Sequence, residues 1–148
     1  NAKNRGFIER YKKLMREFFD KNPHEGIVGP NKGCVKIRIY QKNISNRMGL
    51  PAGSKRKINF QTPNWILKNK EYLIRYLRGL YEAEGSFCVH KPTYTYKFLF
   101  SNRNRSLLDN VYDGMKILGF HPHKSKNQIQ ISKKKEVYMV KDLINFRN

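Results

Sequence analysis

Residues 69–89, NKEYLIRYLRGLYEAEGSFCV, constrain the fold of this chain more than any other stretch. Asn69 is a good helix N-cap, and Glu71 and Arg75 form a favourable i,i+4 pair on the helix that follows. Gly85 is expected to end this helix in a left-handed turn, after which a strand is expected to begin. The stretch therefore predicts a helix joined closely to a strand, with acidic residues just before the junction.

Two features of the predicted helix point to partners outside it. Gly79 and Ala83 lie four residues apart on one face, so the backbone of a second helix can approach closely there. Glu84 has no basic residue three or four positions before it, and its carboxylate faces the negative end of the helix dipole. We therefore expect a second helix against Gly79 and Ala83, and a metal ion or a cationic neighbour beside Glu84.

Residues 77–85, LRGLYEAEG, resemble the signature of the LAGLIDADG homing endonucleases. Both glycines, the leucines and the alanine match, and Glu82 and Glu84 stand where the family signature carries its two acids. The lead-in at residues 63–66, PNWI, is also similar to the family. The resemblance implies an intron-encoded, Mg²⁺-dependent hydrolase that cuts duplex DNA at specific sites.

The composition favours a polyanionic partner. The 148 residues include 31 Lys and Arg against 11 Asp and Glu, which gives a formal charge of +20. The basic residues are interspersed with aromatic ones, so they are expected to coat a folded domain that binds nucleic acid. The cysteines and histidines show no zinc-site spacing. With no signal peptide or apolar run of membrane length, we expect an intracellular protein of the cytoplasm, nucleoid or an organelle matrix, and not a secreted or membrane protein.

Apolar periodicity predicts an α+β fold. Helical spacing predicts helices at residues 5–19, 43–48, 69–84, 102–118 and 134–146. Alternation predicts strands at residues 34–40, 86–91, 93–101, 121–125 and 128–132. From residue 72 this order matches the αββαββα repeat of the resembled family, in which a four-stranded antiparallel sheet forms a DNA-binding saddle.

Two predicted helices resemble each other, which indicates an internal repeat; chance similarity between two basic amphipathic helices is the alternative. Eight positions match in residue class at an offset of one hundred residues. They are Lys3, Asn4, Arg5, Phe7, Ile8, Glu9, Met15 and Arg16, against Arg103, Asn104, Arg105, Leu107, Leu108, Asp109, Met115 and Lys116. The chain is therefore expected to contain the C-terminal part of a first, incomplete repeat (1–48), a linker (49–68) and a complete second repeat (69–148). The missing first signature helix is expected either before Asn1 or from another chain, and the sequence leaves both open.

The linker carries local signals of its own. The basic cluster Lys55, Arg56 and Lys57 is either a solvated loop or a contact to the DNA backbone. Thr62 is expected to be an N-cap, with Pro63 at the first position of a short helix. Trp65 is expected in the core.

The resemblance also implies the catalytic residues. Glu84 is expected to be catalytic and to hold Mg²⁺ through its carboxylate. The family carries an amide and a basic residue at the end of its second strand, where this chain has Asn102 and Arg103. Lys3 is the repeat equivalent of the basic member. An ordinary helix-capping role remains the alternative for Asn102.

The outward faces of the strands are expected to lie in the DNA major groove, as in the resembled family. The candidate DNA-contacting residues are Lys36, Arg38, Tyr40, Ser86, Cys88, His90, Thr95, Lys97, Gln128, Gln130 and Ser132. Each alone is typical of a solvated strand, whereas the alternation of polar and apolar residues in several strands favours an interface. A non-cleaving protein of the same fold, either an intron RNA maturase or a DNA-binding regulator, is the alternative function.

Overall fold

The computed structural model describes residues 4–28, 34–47, 49–50 and 58–146. The chain forms two compact units, Asn1–Gly53 and Ser54–Phe146, and the fold is of the predicted α+β class. None of the helices in the described ranges combines the length and the apolar character needed to cross a membrane.

The first unit is a helix with a β-hairpin and a short second helix. Its elements are α1 (Arg5–Phe19), β1 (His24–Val28), β2 (Cys34–Arg38) and α2 (Ile44–Arg47). The strands pair antiparallel, and Val35 and Ile37 are half-buried rather than buried. Among the described residues of this unit only Ile8 is a buried apolar residue. The apolar face of α1 is therefore left largely open, with Tyr11, Leu14 and Phe18 exposed.

Ion pairs hold α1 to the hairpin of the first unit. The Glu25 carboxylate accepts hydrogen bonds from Lys12 Nζ at 2.9 Å and from Arg5 Nη1 at 2.7 Å. Lys12 also donates to Glu9 at 3.2 Å. The hydrogen bond from Lys12 is the main reason that the pKa of Glu25 lies below its ordinary value, and the same bond raises the pKa of Lys12. Polar contacts therefore tie this unit together where buried apolar contacts are few.

The second unit is a four-stranded antiparallel sheet covered by helices. Its elements are α3 (Asn64–Leu67), α4 (Lys70–Glu84), β3 (Gly85–His90), a 3₁₀ turn (Lys91–Thr93), β4 (Thr95–Ser101), α5 (Arg105–Ile117), β5 (His123–Lys124), β6 (Gln128–Ile131) and α6 (Lys134–Ile144). The strand order is β3-β4-β6-β5. The predicted succession of helix, two strands, helix, two strands and helix is therefore confirmed.

The core of the second unit lies between one face of this sheet and the helices. Alternate strand residues point inward, and the helices contribute their apolar stripes. The fully buried side chains are Leu73, Leu77, Tyr81, Phe98, Phe100, Leu108, Val111, Met115, Ile129, Ile131, Val137, Val140 and Ile144. The other face of the sheet carries the polar residues of the same strands, as period-2 alternation requires.

Two predictions for the segment before α4 are wrong. Pro63, with φ −57° and ψ 140°, occupies the N-cap of α3, so Thr62 precedes the helix entirely. Trp65 is 62% exposed, and its ring stands edge-on to Tyr72 with the centroids 5.6 Å apart. A helix of four residues can turn only one side inward, and that side carries Ile66 and Leu67, which pack against the core.

Candidate active-site cleft

Helix α4 is fixed at both ends. At its start, the Asn69 side chain accepts hydrogen bonds from the backbone N–H groups of Glu71 and Tyr72, so the predicted N-cap is confirmed. The predicted pair of Glu71 and Arg75 is also present, at 2.5 Å. Near its end, Arg78 Nε donates to the Ile144 carbonyl at 2.7 Å. Together with the buried side chains of α4, these bonds fix where the helix ends.

The junction after α4 differs from the prediction. Gly85 has φ −85° and ψ 156°, so the helix passes into β3 without a left-handed residue. A Cβ atom at this position would lie 2.5 Å from both the carbonyl oxygen and the Cδ1 atom of Tyr81. Glycine is therefore required by close packing and not by a positive φ. The prediction failed because the sequence does not reveal which buried ring lies against the turn.

The Glu84 side chain is exposed at this junction. It forms no hydrogen bond or ion pair with any residue in the described part of the chain. It opens onto a cleft of about 660 Å³, which is lined by Glu84, Ser101, Asn102, Arg103, Ser125, Lys126, Asn127 and Gln128. Three of the four predicted catalytic residues therefore line one cleft, while the fourth, Lys3, lies outside the described residues.

Asn102 stands between β4 and α5. The Asn102 side-chain oxygen accepts a hydrogen bond from the backbone N–H of Asn104 at 2.8 Å. The backbone N–H of Asn102 donates to the Asn127 carbonyl at 3.0 Å. The N-cap of α5 is Asn104, which accepts from the N–H of Leu107, so the helix begins three residues later than predicted. The Asn102 side chain thus supports the turn through its oxygen. Its amide nitrogen has no acceptor among the described residues.

The turn between β5 and β6 completes the cleft, and sequence reasoning gave no role to its two central residues, Lys126 and Asn127. Ser125 N–H donates to the Gln128 carbonyl at 2.8 Å, which closes the turn. Gln128 pairs with Ser101 in the sheet, so the turn lies at the same end of the sheet as Asn102. The sequence predicts the hairpin but not that its second strand lies beside β4, which is what brings the turn to the cleft.

The cleft has an excess of positive charge. Glu84 is the single acid among the lining residues, whereas Arg103 and Lys126 are both exposed basic residues. Neither base forms an ion pair with another described residue. An anion is therefore the ligand that these charges favour.

The cleft offers few ligands for a metal ion. Within the described ranges, no group of three or more His, Cys, Asp or Glu side chains is placed to hold one. Mg²⁺ is commonly held by one or two carboxylates together with substrate phosphates and water. The Glu84 carboxylate fits that kind of shared site, and it does not fit a site built from protein ligands alone.

The outer face of the sheet carries the predicted DNA-contacting residues of the second unit. Ser86, Cys88, His90 and Gln128 are exposed, and Thr95, Lys97 and Gln130 are half-buried; Ser132 is exposed just beyond the end of β6. Strand pairing also brings Leu99, Ser101 and His123, which were not predicted, to this face. One row crosses all four strands, from Ser86 through Leu99 and Gln130 to His123.

Some of these side chains are held by neighbours. Gln130 Nε2 donates to Ser132 Oγ, and His90 Nδ1 lies 2.7 Å from Thr93 Oγ1. Thr93 in turn contacts Thr95 Oγ1 at 2.8 Å. The polar face is therefore partly ordered before any ligand is present.

The remaining predicted residues fall elsewhere. In the first unit Lys36 and Arg38 are exposed on β2, while Tyr40 lies beyond the end of that strand. The basic cluster Lys55, Arg56 and Lys57 lies outside the described residues.

The face of α4 that carries Gly79 and Ala83 is open. Both residues are exposed, and a Cβ atom built on Gly79 would meet no atom within 4 Å. The described part of the chain therefore supplies no helix against this face, and the predicted helix partner stays a prediction.

Comparison of the chain with protein-family models, curated proteins and solved structures finds no match.

The cleft gathers one carboxylate, two basic groups, three amides and two hydroxyls.

Proposed function

We propose that this chain acts as a site-specific, Mg²⁺-dependent DNA endonuclease of the LAGLIDADG type, hydrolysing phosphodiester bonds of duplex DNA. The observation that carries the proposal is that Glu84, Asn102, Arg103 and Lys126 line the same cleft. The acid ends a helix whose residues 77–85 resemble the family signature. The order α4-β3-β4-α5-β5-β6-α6 is also what the resemblance implies.

Charge and sheet geometry support duplex DNA as the substrate. The net charge of +20 favours a polyanion, and the outer sheet face presents amide, hydroxyl, imidazole and basic side chains in rows. Such groups pair with base edges in the major groove, where each base pair has a distinct pattern of donors and acceptors. In this proposal the sheet reads the sequence while the cleft receives the backbone.

The proposed division of labour within the cleft follows from the chemistry of its residues. Glu84 and a DNA phosphate would hold Mg²⁺, which supplies an activated water and stabilises the charge on the leaving oxygen. Arg103 has fixed positive charge and paired N–H donors for phosphate oxygens. Asn102, with its side-chain oxygen engaged by Asn104, would use its amide nitrogen to orient a water or phosphate oxygen.

Cutting both strands requires a second acid-bearing helix, and two open surfaces support its existence. One is the exposed Gly79 and Ala83 face of α4. The other is the exposed apolar face of α1. Helix α5, which matches α1 in the internal repeat, buries Leu108, Val111 and Met115, and a Cβ at its Gly114 would lie 3.2 Å from Leu77 of α4. We propose that a helix equivalent to α4 covers α1, supplied by a preceding segment or by another chain.

The first test uses Glu84→Gln and a pool of supercoiled plasmids that carry random inserts. In the presence of Mg²⁺ the wild-type protein is expected to nick or linearise a subset of the pool. Glu84→Gln is expected to lower the cleavage rate at least about a hundredfold, because it removes the charge that holds the metal. Affinity for DNA should be retained, since the neutral amide repels phosphates less than the carboxylate does.

Glu71→Gln is the matched control for this experiment. It makes the same change at the exposed opposite end of α4, where Glu71 forms an ion pair with Arg75 alone among the described residues. The control should cleave at the wild-type rate. Cleavage by Glu84→Gln at that same rate would remove Glu84 from the mechanism.

A non-cleaving nucleic-acid-binding protein is the second candidate. The observation that favours it is that the cleft contains one carboxylate and that no larger group of metal ligands is present in the described ranges. In the plasmid assay this candidate binds DNA tightly and leaves every plasmid supercoiled. Preference for a structured RNA over duplex DNA would then indicate a maturase-like role.

A further inference from the structure

The β5–β6 hairpin holds Lys126 at the edge of the cleft. The hairpin is short, because β5 contains two residues and the turn is closed by the bond from Ser125 N–H to the Gln128 carbonyl. A second bond, from Asn102 N–H to the Asn127 carbonyl, ties the turn to the end of β4. The backbone that carries Lys126 therefore lies in a closed turn that is hydrogen-bonded to Asn102 of the cleft lining.

Two lysines of this hairpin have different surroundings. Lys124 forms an ion pair with Asp109 of α5. Lys126 is exposed, lines the cleft and has no ion-pair partner among the described residues. One lysine is therefore neutralised by the protein itself, and the other is left to a ligand.

The charges of the cleft lining favour a phosphate ligand. Glu84 contributes one negative charge, and Arg103 and Lys126 contribute one positive charge each. The lining side chains therefore carry one excess positive charge, which attracts a phosphate in addition to the charge that Mg²⁺ would supply. Without Lys126, Arg103 and Glu84 would offset each other, and the lining side chains would add nothing to the attraction that Mg²⁺ exerts on the phosphate.

We propose that Lys126 is a catalytic residue that binds the phosphate entering the cleft beside Glu84, an inference that rests on the proposed endonuclease function. In the hydrolysis, a water oxygen bonds to phosphorus and the phosphorus bond to the leaving oxygen breaks. The water gives up one proton to solvent, and the leaving oxygen takes one from solvent. Lys126 keeps its own proton and acts by stabilising the negative charge that grows on the phosphate and leaving oxygens.

The test compares Lys126→Met, Lys126→Arg and the control Lys124→Met in the full chain. The first readout is the single-turnover rate of plasmid nicking with Mg²⁺. Lys126→Met is expected to lower this rate about a hundredfold. Lys126→Arg, which keeps the charge, should recover most of it, and Lys124→Met should match the wild type. Thermal unfolding of each variant establishes that the fold is retained.

The second readout is binding of a fluorescent, mixed-sequence DNA duplex in EDTA over a range of salt concentrations. A lost phosphate contact reduces the slope of log affinity against log salt by about 0.9. This reduction is expected for Lys126→Met and not for Lys124→Met. The measurement needs no metal and no cleavage, so it reports on Lys126 independently of activity.

The outcomes separate the inference from the function on which it rests. If the wild type nicks DNA and Lys126→Met nicks it as fast as Lys124→Met does, the role of Lys126 is overturned while the endonuclease stands. If no protein nicks DNA, the proposed endonuclease is overturned, and with it a catalytic role for Lys126. In that case a reduced salt slope in Lys126→Met alone would keep the phosphate contact, and an unchanged slope would remove it as well.

Discussion

At the scale of single residues, the Tyr81 hydroxyl is a polar group in an apolar core. The ring is fully buried and stacks on Phe98, with the centroids 4.4 Å apart, and it also packs against Phe100 and Phe146. The hydroxyl has no hydrogen-bond partner among the described residues. Burial raises the pKa of Tyr81 far above its ordinary value, so the phenol stays neutral. Leaving such a donor unpaired costs about 1–3 kcal/mol.

Tyr81→Phe is therefore expected to stabilise the second unit by about 1 kcal/mol or more, because it removes the unpaired hydroxyl and keeps the ring. Urea unfolding followed by circular dichroism measures the change as a higher midpoint. Tyr138→Phe is the control, since that side chain is partly exposed and its hydroxyl can reach water. A lower midpoint for Tyr81→Phe would mean that the hydroxyl is hydrogen-bonded in solution.

At the scale of elements, residues 58–60 form a short strap before α3 that is hydrogen-bonded to the first turns of α5. The Ile58 carbonyl accepts from Asn104 Nδ2 at 2.8 Å and from Ser106 Oγ at 3.2 Å. Phe60 donates to Ser106 Oγ at 2.8 Å, and its carbonyl accepts from Asn110 at 3.0 Å. Asn104, which is 4% exposed, therefore caps α5 and secures the strap at the same time.

Asn104→Ala is expected to destabilise the second unit by about 2–4 kcal/mol. The lost N-cap accounts for about 1 kcal/mol, and the buried groups left without a partner account for the rest. Asn69→Ala is the matched control, because Asn69 caps α4 on the exposed surface and should cost only about 1 kcal/mol. Chemical denaturation compares the two variants. Equal losses would show that the bonds to the strap contribute little.

The same scale shows what the sequence could predict. The spacing of apolar residues predicts α1, α5 and α6 to within a few residues, because each of these helices carries its apolar residues along one face. Asn69 was identified as a cap because capping is local. The exposure of Trp65 depends on which side of a short helix meets the core, and residue types alone do not give that side. The extended backbone of Gly85 depends on how the buried Tyr81, on the preceding turn of the helix, packs against it.

The cleft was predictable only in part for a similar reason. The position of Glu84 at the helix end and the resemblance both point to this acid, whereas only the resemblance points to Asn102 and Arg103. Their common location needs the strand pairing of the sheet. Lys126 carries no motif and lies in a turn of ordinary composition. Only the register between β4 and β6, in which Ser101 faces Gln128, brings that turn to the acid.

At the scale of the whole molecule, charge is the dominant property. The chain carries +20, and the ion pairs among the described residues neutralise only a few of its basic groups. If the proposed DNA binding is correct, many phosphates will be neutralised at once, and each releases counterions.

We therefore expect affinity for duplex DNA to fall about a thousandfold or more when salt rises from about 50 to about 200 mM. Fluorescence anisotropy with a labelled duplex measures this dependence. A peptide nucleic acid duplex of the same sequence, which lacks phosphates, is the control and should bind weakly at every salt concentration. A flat salt dependence with DNA would contradict binding through the backbone.

The junction between α4 and β3 contains no loop residue, and Gly85 packs so closely on Tyr81 that even a Cβ atom would not fit between them. The directions of helix α4 and strand β3 are therefore coupled. Because Glu84 directly precedes the strand, a twist of β3 is expected to change the direction of its carboxylate. If the sheet lies in a DNA groove, the shape of that groove is therefore expected to affect the position of the Glu84 carboxylate.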